Sequence, residues 1–462
     1  MLVENKKINK TLINDSISDL DILFNNNMFN KNIINNLKIV ENLVDEINKY
    51  NNNILSINYK KSLNSFFLNR QNEEVKNYLN HNSTYEFIDL FSGAGGLSLG
   101  LEKSGLFPLL SLDKDTASLK TYSFNRPYLN DNQILNEDIQ VVAKEHDFFK
   151  VPLVVGGPPC QGFSNANKQK KENDDRNSLY KFYVQTVEKT NPDIFLLENV
   201  EGILKSIKFI ENDFKKVGYS LKSFLLNTSE FGFAQNRKRV FLVGISNKHN
   251  KIFDELYDIF SNNLDNKRIG KKFTLWDVIN DLPKINAKTK SNSTLLENES
   301  VGYTFGKFQS KSTDYTNLLN DSSLEKYPVL NHKSKYNNER DIKIYGLLEQ
   351  GEGSDSKNIV DINPYANRND IFKDKFYKLK SDEPSKTITA HMYYDCHMYI
   401  HPFYARGLSP REAARIQGFP DDYLFLGTPN EWYRQIGNAV SPLIGKIIGE
   451  GLTKMLDRIY EK

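Results

Sequence analysis

The stretch GGPPCQGFS, residues 156–164, follows the apolar run VPLVV and sets Cys160 in a short polar loop. Pro158 and Pro159 fix φ and stiffen that loop, while the flanking glycines give it clearance. A free thiol titrates near about 8.5, so some thiolate exists at neutral pH and a nearby cation enlarges it. The ordinary fate of a lone cysteine is an inert, buried position. A proline-stiffened loop after a strand is a poor place for that, and Cys160 reads as a nucleophile. Two further groups complete a constellation. Glu198, in ENV, ends the run IFLL and stands beside the Cys160 loop if the two strands are neighbours. Gln235, Arg237 and Arg239, in QNRKR, share one face of an extended segment. An acid with fixed guanidiniums can protonate and grip a polar ring. Alone, ENV is equally a surface turn and QNRKR a solvated basic strand.

A second cluster suits ligand binding rather than covalent chemistry. Phe91-Ser92-Gly93-Ala94-Gly95-Gly96 follows another apolar run, and its glycines let the backbone turn tightly and approach an anion at a helix start. The spacing is neither G-x-G-x-x-G nor a Walker loop, which weakens dinucleotide and triphosphate readings. Asp113, in LSLDKD, ends the next run, where doubly wound folds place an acid for ribose hydroxyls. Asp138, in NEDIQ, closes a third segment. Singly, each acid is a solvated loop residue. Together with the glycine loop they suit an adenosine-containing cofactor.

The elements that must position these groups are legible as short apolar runs ending in polar turns: EFIDLF, LLSL, PLVV, DIFLL and RVFLVGI. Such runs, separated by helix-length segments, predict buried parallel strands of an α/β sheet with ligands beyond their carboxyl ends. Four segments follow. Residues 1–84 lack glycine and proline, are rich in asparagine, and carry Ile33, Ile34, Leu37, Val40, Leu43, Val44 and Ile47 at helical spacing. They are read as a helical extension whose role the sequence leaves open between a cap on the catalytic domain, an extra DNA contact, a repressor-like module and a partner-docking helix pair. Residues 85–248 form a catalytic domain. Residues 249–386, polar and loop-rich, form an inserted domain, and residues 387–462 return to the first. A net charge of +3 neither advertises nor excludes a nucleic-acid partner. No run is long enough to span a membrane, no export signal opens the chain, and Cys160 and Cys396 make neither a disulfide framework nor a metal cluster. The cytoplasm is the expected compartment.

DLFSGAGG, GGPPCQGFS, DDRNSLY, ENV, QNRKR, RGLSPREAARIQGFP and QIGNAVSP together resemble, in type and order, the motifs of the DNA cytosine-5 methyltransferases. The resemblance runs from about residue 85 to 455, interrupted by the insert. It implies a Rossmann-like, S-adenosylmethionine-dependent methyltransferase sheet with a target-recognition domain, holding duplex DNA between them. By motif position Cys160 would add to C6 of a flipped cytosine, Glu198 would act at N3 and Arg239 would hold O2, with Arg237 beside it. Phe91 would pack on the adenine, Asp113 would take the ribose hydroxyls and Asp138 the adenine amino group. Ser92, Gly93, Gly95, Gly96, Ile139, Pro158, Asn438 and Val440 would complete the cofactor site. Gln161, Ser164, Gln235 and Thr387 would touch DNA. Lys114 departs from the family, where an apolar or aromatic residue is common. Arg406, Glu412 and Arg415 fall in a segment that braces the recognition domain. The resemblance further implies a monomeric modification enzyme of a restriction-modification system, with a cognate endonuclease for the same site.

Covalent addition splits a hard step at a poorly nucleophilic carbon into easier ones, and base flipping explains a two-domain clamp. The competing readings are a transfer-RNA cytosine-5 methyltransferase, which the long insert disfavours, and an amino-methylating DNA enzyme, which needs no thiol. A catalytically silent DNA-binding regulator would be expected to lose the nucleophile or the cofactor loop.

Overall fold

The computed structural model describes residues 28–80, 85–145, 148, 150–159, 178–291, 294–310, 313–320, 325–365 and 375–461. The apolar runs form the core of a seven-stranded sheet. In chain order its strands are β1 (Tyr85–Leu90), β2 (Leu106–Asp113), β3 (Ile134–Asn136), β4 (Leu153–Gly156), β5 (Ile194–Asn199) and β6 (Tyr219–Asn227). After a two-residue strand β7 (Gln235–Asn236) comes β8 (Lys238–Ser246). The order across the sheet is β3-β2-β1-β4-β5-β8-β6. Strands β1 to β5 pair in parallel, and the chain reverses its direction of travel across the sheet between β1 and β4. That reversal opens a crevice at the carboxyl ends of the two strands.

RVFLVGI, expected as another parallel strand, runs antiparallel to both β5 and β6. The reason is connection length. Only residues 228–237 join β6 to β8, too few for the crossover that a parallel pair needs.

Apolar side chains cover both faces of the sheet. One face packs Ile139, Val142, Tyr183, Val187, Ile210 and Phe214 from three helices against Val154, Phe195 and Leu242. The other packs Leu97, Leu256, Phe260, Ile448, Leu452 and Met455 against Phe87, Val155 and Leu196. The helix Phe253–Lys267, which supplies Leu256 and Phe260, lies beyond residue 248, where the inserted domain was expected to start. Its apolar stripe places it with the sheet instead.

Within the insert, β9 (Gly302–Ser310) and β10 (Lys326–Lys333) form an antiparallel pair. A short strand β11 (Ser385–Lys386) pairs in parallel with β7, so the end of the insert returns to the QNRKR segment. Among its described residues the N-terminal extension forms two helices, α1 (Met28–Tyr50) and α2 (Ile57–Asn80). Val40, Val44, Leu63 and Phe67 from this pair pack against Phe124 and Leu424, and also against Phe305 and Leu330 of the β9–β10 pair. The extension therefore bridges the sheet and the insert. Ile34, on the same predicted apolar face, is half exposed.

Candidate active site

A cleft of about 810 Å³ lies at the carboxyl edge, lined at one end by Phe91, Gly93, Asp113, Asp138 and Ile139 and at the other by Pro158, Glu198 and Arg239. Its volume falls in the range of ligand sites.

The glycine loop leaves β1 through Phe91, a non-glycine residue at φ 63°, a left-handed conformation of the kind that persists where surrounding contacts enforce it. Asp113 holds the loop from β2. Its carboxylate accepts from Gly93 N (2.8 Å) and from Asp115 N (2.8 Å). Burial pushes the Asp113 carboxyl above its ordinary value, and these two N–H groups oppose the shift. Gly93 has φ 53° and open space where a side chain would project, so the backbone itself faces the cleft. At Gly96 a Cβ would lie 2.4 Å from the carbonyl oxygen of Val440. That contact explains why the glycine loop and QIGNAVSP, far apart in sequence, need small backbone at one point. Asp138 accepts from Gln140 N (2.9 Å), which turns the chain into the helix Ile139–Glu145. Asn438 lines the cleft from the far side, next to Val440.

At the other end β4 and β5 are neighbours, with Gly156 opposite Leu197. Glu198 therefore leaves β5 directly beside the Gly157–Pro159 turn. Its Oε2 lies 3.2 Å from where a Cβ on Gly157 would be, so Gly157 makes room for the carboxylate. Asn199 Nδ2 donates to the carbonyl of Pro158 (3.0 Å) and anchors the proline turn to β5. Arg239 Nε stands 3.2 Å from Glu198 Oε1, and both side chains are partly exposed to the cleft. Cys160, Gln161 and Ser164 lie outside the described residues. The other cysteine, Cys396, is fully buried, and burial pushes its thiol up to about 12.

The structure corrects the reading of QNRKR as three groups on one working face. Gln235 is 1% exposed. Its Nε2 donates to Ile416 O and Gln417 Oε1, and its Oε1 accepts from Ile388 N, so no atom is left for DNA. Arg237 lines the cleft but is anchored backwards, Nη1 to Ile388 O (2.8 Å) and Nη2 to Ala439 O (3.0 Å). Burial, with Arg239 nearby, lowers it to about 9. Arg237 thus fastens three segments of the site wall, and only Arg239 meets Glu198. Thr387 is partly exposed, and its hydroxyl donates to Asn236 O (2.7 Å).

Sequence reasoning missed two features. Asp89 is a buried acid within the apolar strand β1; it lines the cleft and accepts from Ser98 Oγ (2.5 Å). Burial pushes it up to about 7, with Ser98 opposing. A charged residue inside FIDLF was the available signal. Arg434 reaches Asp115 Oδ1 (3.0 Å) at the cleft rim. It lies four residues before Asn438 on one helix, the spacing that puts both on one face.

The sheet order and the cleft at its carboxyl edge define the class, a Rossmann-like fold with a ligand site at its switch point. The family model "C-5 cytosine-specific DNA methylase" matches residues 85–454. The chain is 31% identical over 394 residues to the type II methyltransferase M1.HphI of Haemophilus parahaemolyticus, covering 82% of this chain and 90% of that one. It is 31% identical over 400 residues to M.DdeI of Desulfomicrobium norvegicum, covering 80% and 89%. An E. coli prophage-encoded protein, whose crystal structure is described as a DNA modification methyltransferase, aligns at TM-score 0.59 and 25% identity, covering 81% of this chain and all of that one. The chain belongs to the C-5 cytosine-specific DNA methylase family and is a DNA cytosine methyltransferase.

Proposed function

We propose that the protein methylates C5 of a flipped cytosine within a specific duplex sequence, using S-adenosylmethionine and a covalent bond from Cys160 to C6. The observation that carries this reading is the Glu198–Arg239 pair, set at the carboxyl edge against the turn that leads into Cys160. The rest of the cleft fits a nucleoside cofactor. It offers bare backbone at Gly93, the Asp113 and Asp138 carboxylates at one end, and Phe91 as an apolar wall. Bound there, the cofactor supplies an electrophilic methyl group.

The chain's own groups do the rest. The Cys160 thiolate adds to C6, and Glu198 stabilises the growing negative charge by hydrogen bonding or protonating N3. Arg239, fixed against Glu198, holds O2. Together they push electron density to C5, which is otherwise a poor nucleophile. Loss of the C5 proton after methylation then expels the thiolate and leaves 5-methylcytosine. The type II relatives support a role as a modification enzyme acting on the site of a cognate endonuclease. Residues 249–386, less the sheet-packed helix Phe253–Lys267, are the segment to which we assign site choice, since base-edge contacts and not the chemistry specify sequence.

Sequencing 5-methylcytosine in DNA from cells expressing the protein tests this reading. Methylation confined to the cytosine of one short sequence is expected. Unmethylated DNA alongside methylated transfer RNA would replace it with the RNA reading.

A further inference from the structure

Residues 28–80 lie outside the family match, which begins at residue 85, yet α2 reaches the back of the glycine loop. Arg70 of α2 is 3% exposed and donates through Nε to Asp422 Oδ2 (3.0 Å). Next in sequence, Tyr423 donates its hydroxyl to the carbonyl of Ala94 in the loop. The same hydroxyl accepts from Arg126 Nη1 (3.1 Å), and Arg126 Nη2 donates to the carbonyl of Gly95 (3.0 Å). A second route runs through aromatic contact. Tyr78 of α2 stacks on Tyr128 (4.8 Å between rings), and Tyr128 donates to Glu102, which grips Arg126 through Nε at 2.6 Å.

Between α2 and the loop's helix lies a cavity of about 310 Å³, lined by Arg70, Glu74, Tyr78, Leu99, Glu102 and Asp422. The contact here is thus a few directed bonds around a gap rather than continuous packing. Because a peptide plane is rigid, fixing the carbonyl of Gly95 from behind also fixes where the N–H of Gly96 points, and holding that of Ala94 braces the turn that Gly95 N closes on Ser92 O (2.9 Å). Gly95 cannot compensate by acquiring a side chain, since a Cβ there would meet Arg126 at 2.5 Å.

We propose that the N-terminal extension positions the cofactor loop, with Arg70 the positioning residue that acts through Asp422 and Tyr423 on Ala94. The inference rests on the reading of this cleft as the S-adenosylmethionine site. The extension is then part of the enzyme's binding apparatus rather than a cap.

Calorimetric binding of S-adenosylhomocysteine to the full chain tests it. The double variant Arg70→Met/Asp422→Leu removes both charges together, and about tenfold weaker binding is expected, the scale of coupling through such networks. Turnover at saturating cofactor and the KM for DNA should stay at the wild-type level. Tyr59→Phe, which loses the bond from α2 to Gly306 O in the insert (2.6 Å), should leave the affinity unchanged. If the double variant does not fold, Arg70→Lys carries the test, because the shorter head cannot keep the guanidinium geometry. Folded Arg70 variants with wild-type affinity would overturn the proposal. Loss of affinity in Tyr59→Phe alike would reduce it to general destabilisation. A wild-type chain that binds no S-adenosylhomocysteine would remove the cofactor reading and this inference with it.

Discussion

Two Arg–Glu pairs in this molecule, each drawn from a motif-like string, sit in opposite circumstances. Arg406 and Glu412 are 1% and 2% exposed at the side chain and meet through both guanidinium Nη atoms at 2.7 Å. Arg406 Nε takes Ile285 O, and Glu412 also accepts from Ser409 N. Arg415, on the same helix (Pro410–Gln417), is fully buried between Asp421 and Asp281, and Arg411 donates to the carbonyls of Leu330, Pro420 and Tyr423. These bonds clamp the insert to the sheet domain. Glu198 and Arg239, by contrast, share one 3.2 Å contact at a cleft edge; Arg239 Nη1 donates to Lys238 O (2.7 Å), and both side chains stay partly exposed to the cleft. A buried pair with every donor used holds a structure together, while a half-open pair can lend its groups to a ligand. Residue type does not distinguish the two; the count of unused hydrogen-bonding atoms does.

The largest expected effect probes the open pair. Glu198→Gln should lower turnover about 10²- to 10⁴-fold, the usual contribution of a positioned acid, with little change in unfolding midpoint. Single-turnover methyl transfer at saturating cofactor reads this. Loss of cofactor affinity with turnover per bound cofactor intact would move Glu198 out of the chemistry.

The clamp should respond the other way. Arg415→Met strands Asp421 and Asp281 in the interior and should cost about 3–5 kcal/mol of stability in denaturant unfolding. Folded Arg415→Met molecules should still bind cofactor. Normal stability with lost activity would erase the distinction between the two pairs.

A smaller effect separates the regions by pH. His332 sits against the clamp, with Nε2 at Pro283 O and Nδ1 at Ser409 Oγ, both 2.8 Å. Burial lowers it to about 4, Glu412 opposing and Arg406 assisting. Its pKa unfolded is about 6.5, so as pH falls below that value the unfolded chain takes up the proton first. The stability from keeping His332 neutral is present above about pH 6.5 and declines toward pH 4. Melting temperature against pH should therefore fall over that window, and His332→Gln should make the slope shallower. An unchanged slope would remove His332 from the account.

Much of the frame was legible because strands buried on both faces leave continuous apolar runs, as in LVV of β4 and IFLL of β5. The loop groups were legible because glycine and proline mark turns, while a thiol set among them is uncommon. The antiparallel sense of RVFLVGI was not legible, since periodicity carries no direction and β6 has no strong apolar run. Nor were the fates of Gln235 and Arg237. Whether a polar side chain faces a ligand or a carbonyl depends on what arrives behind it, here Ile388 and Ile416, more than 150 residues on. The support given by α2 to the glycine loop was hidden for the same reason.

Covalent trapping tests the role of Cys160 most directly. Duplex DNA carrying 5-fluorocytosine at the target, incubated with the protein and S-adenosylmethionine, should give a denaturant-stable protein–DNA complex, because fluorine cannot leave as a proton does. Cys160→Ala should give no complex and transfer no methyl group. Near-normal turnover by Cys160→Ala, or a complex that forms without the thiol, would contradict the mechanism.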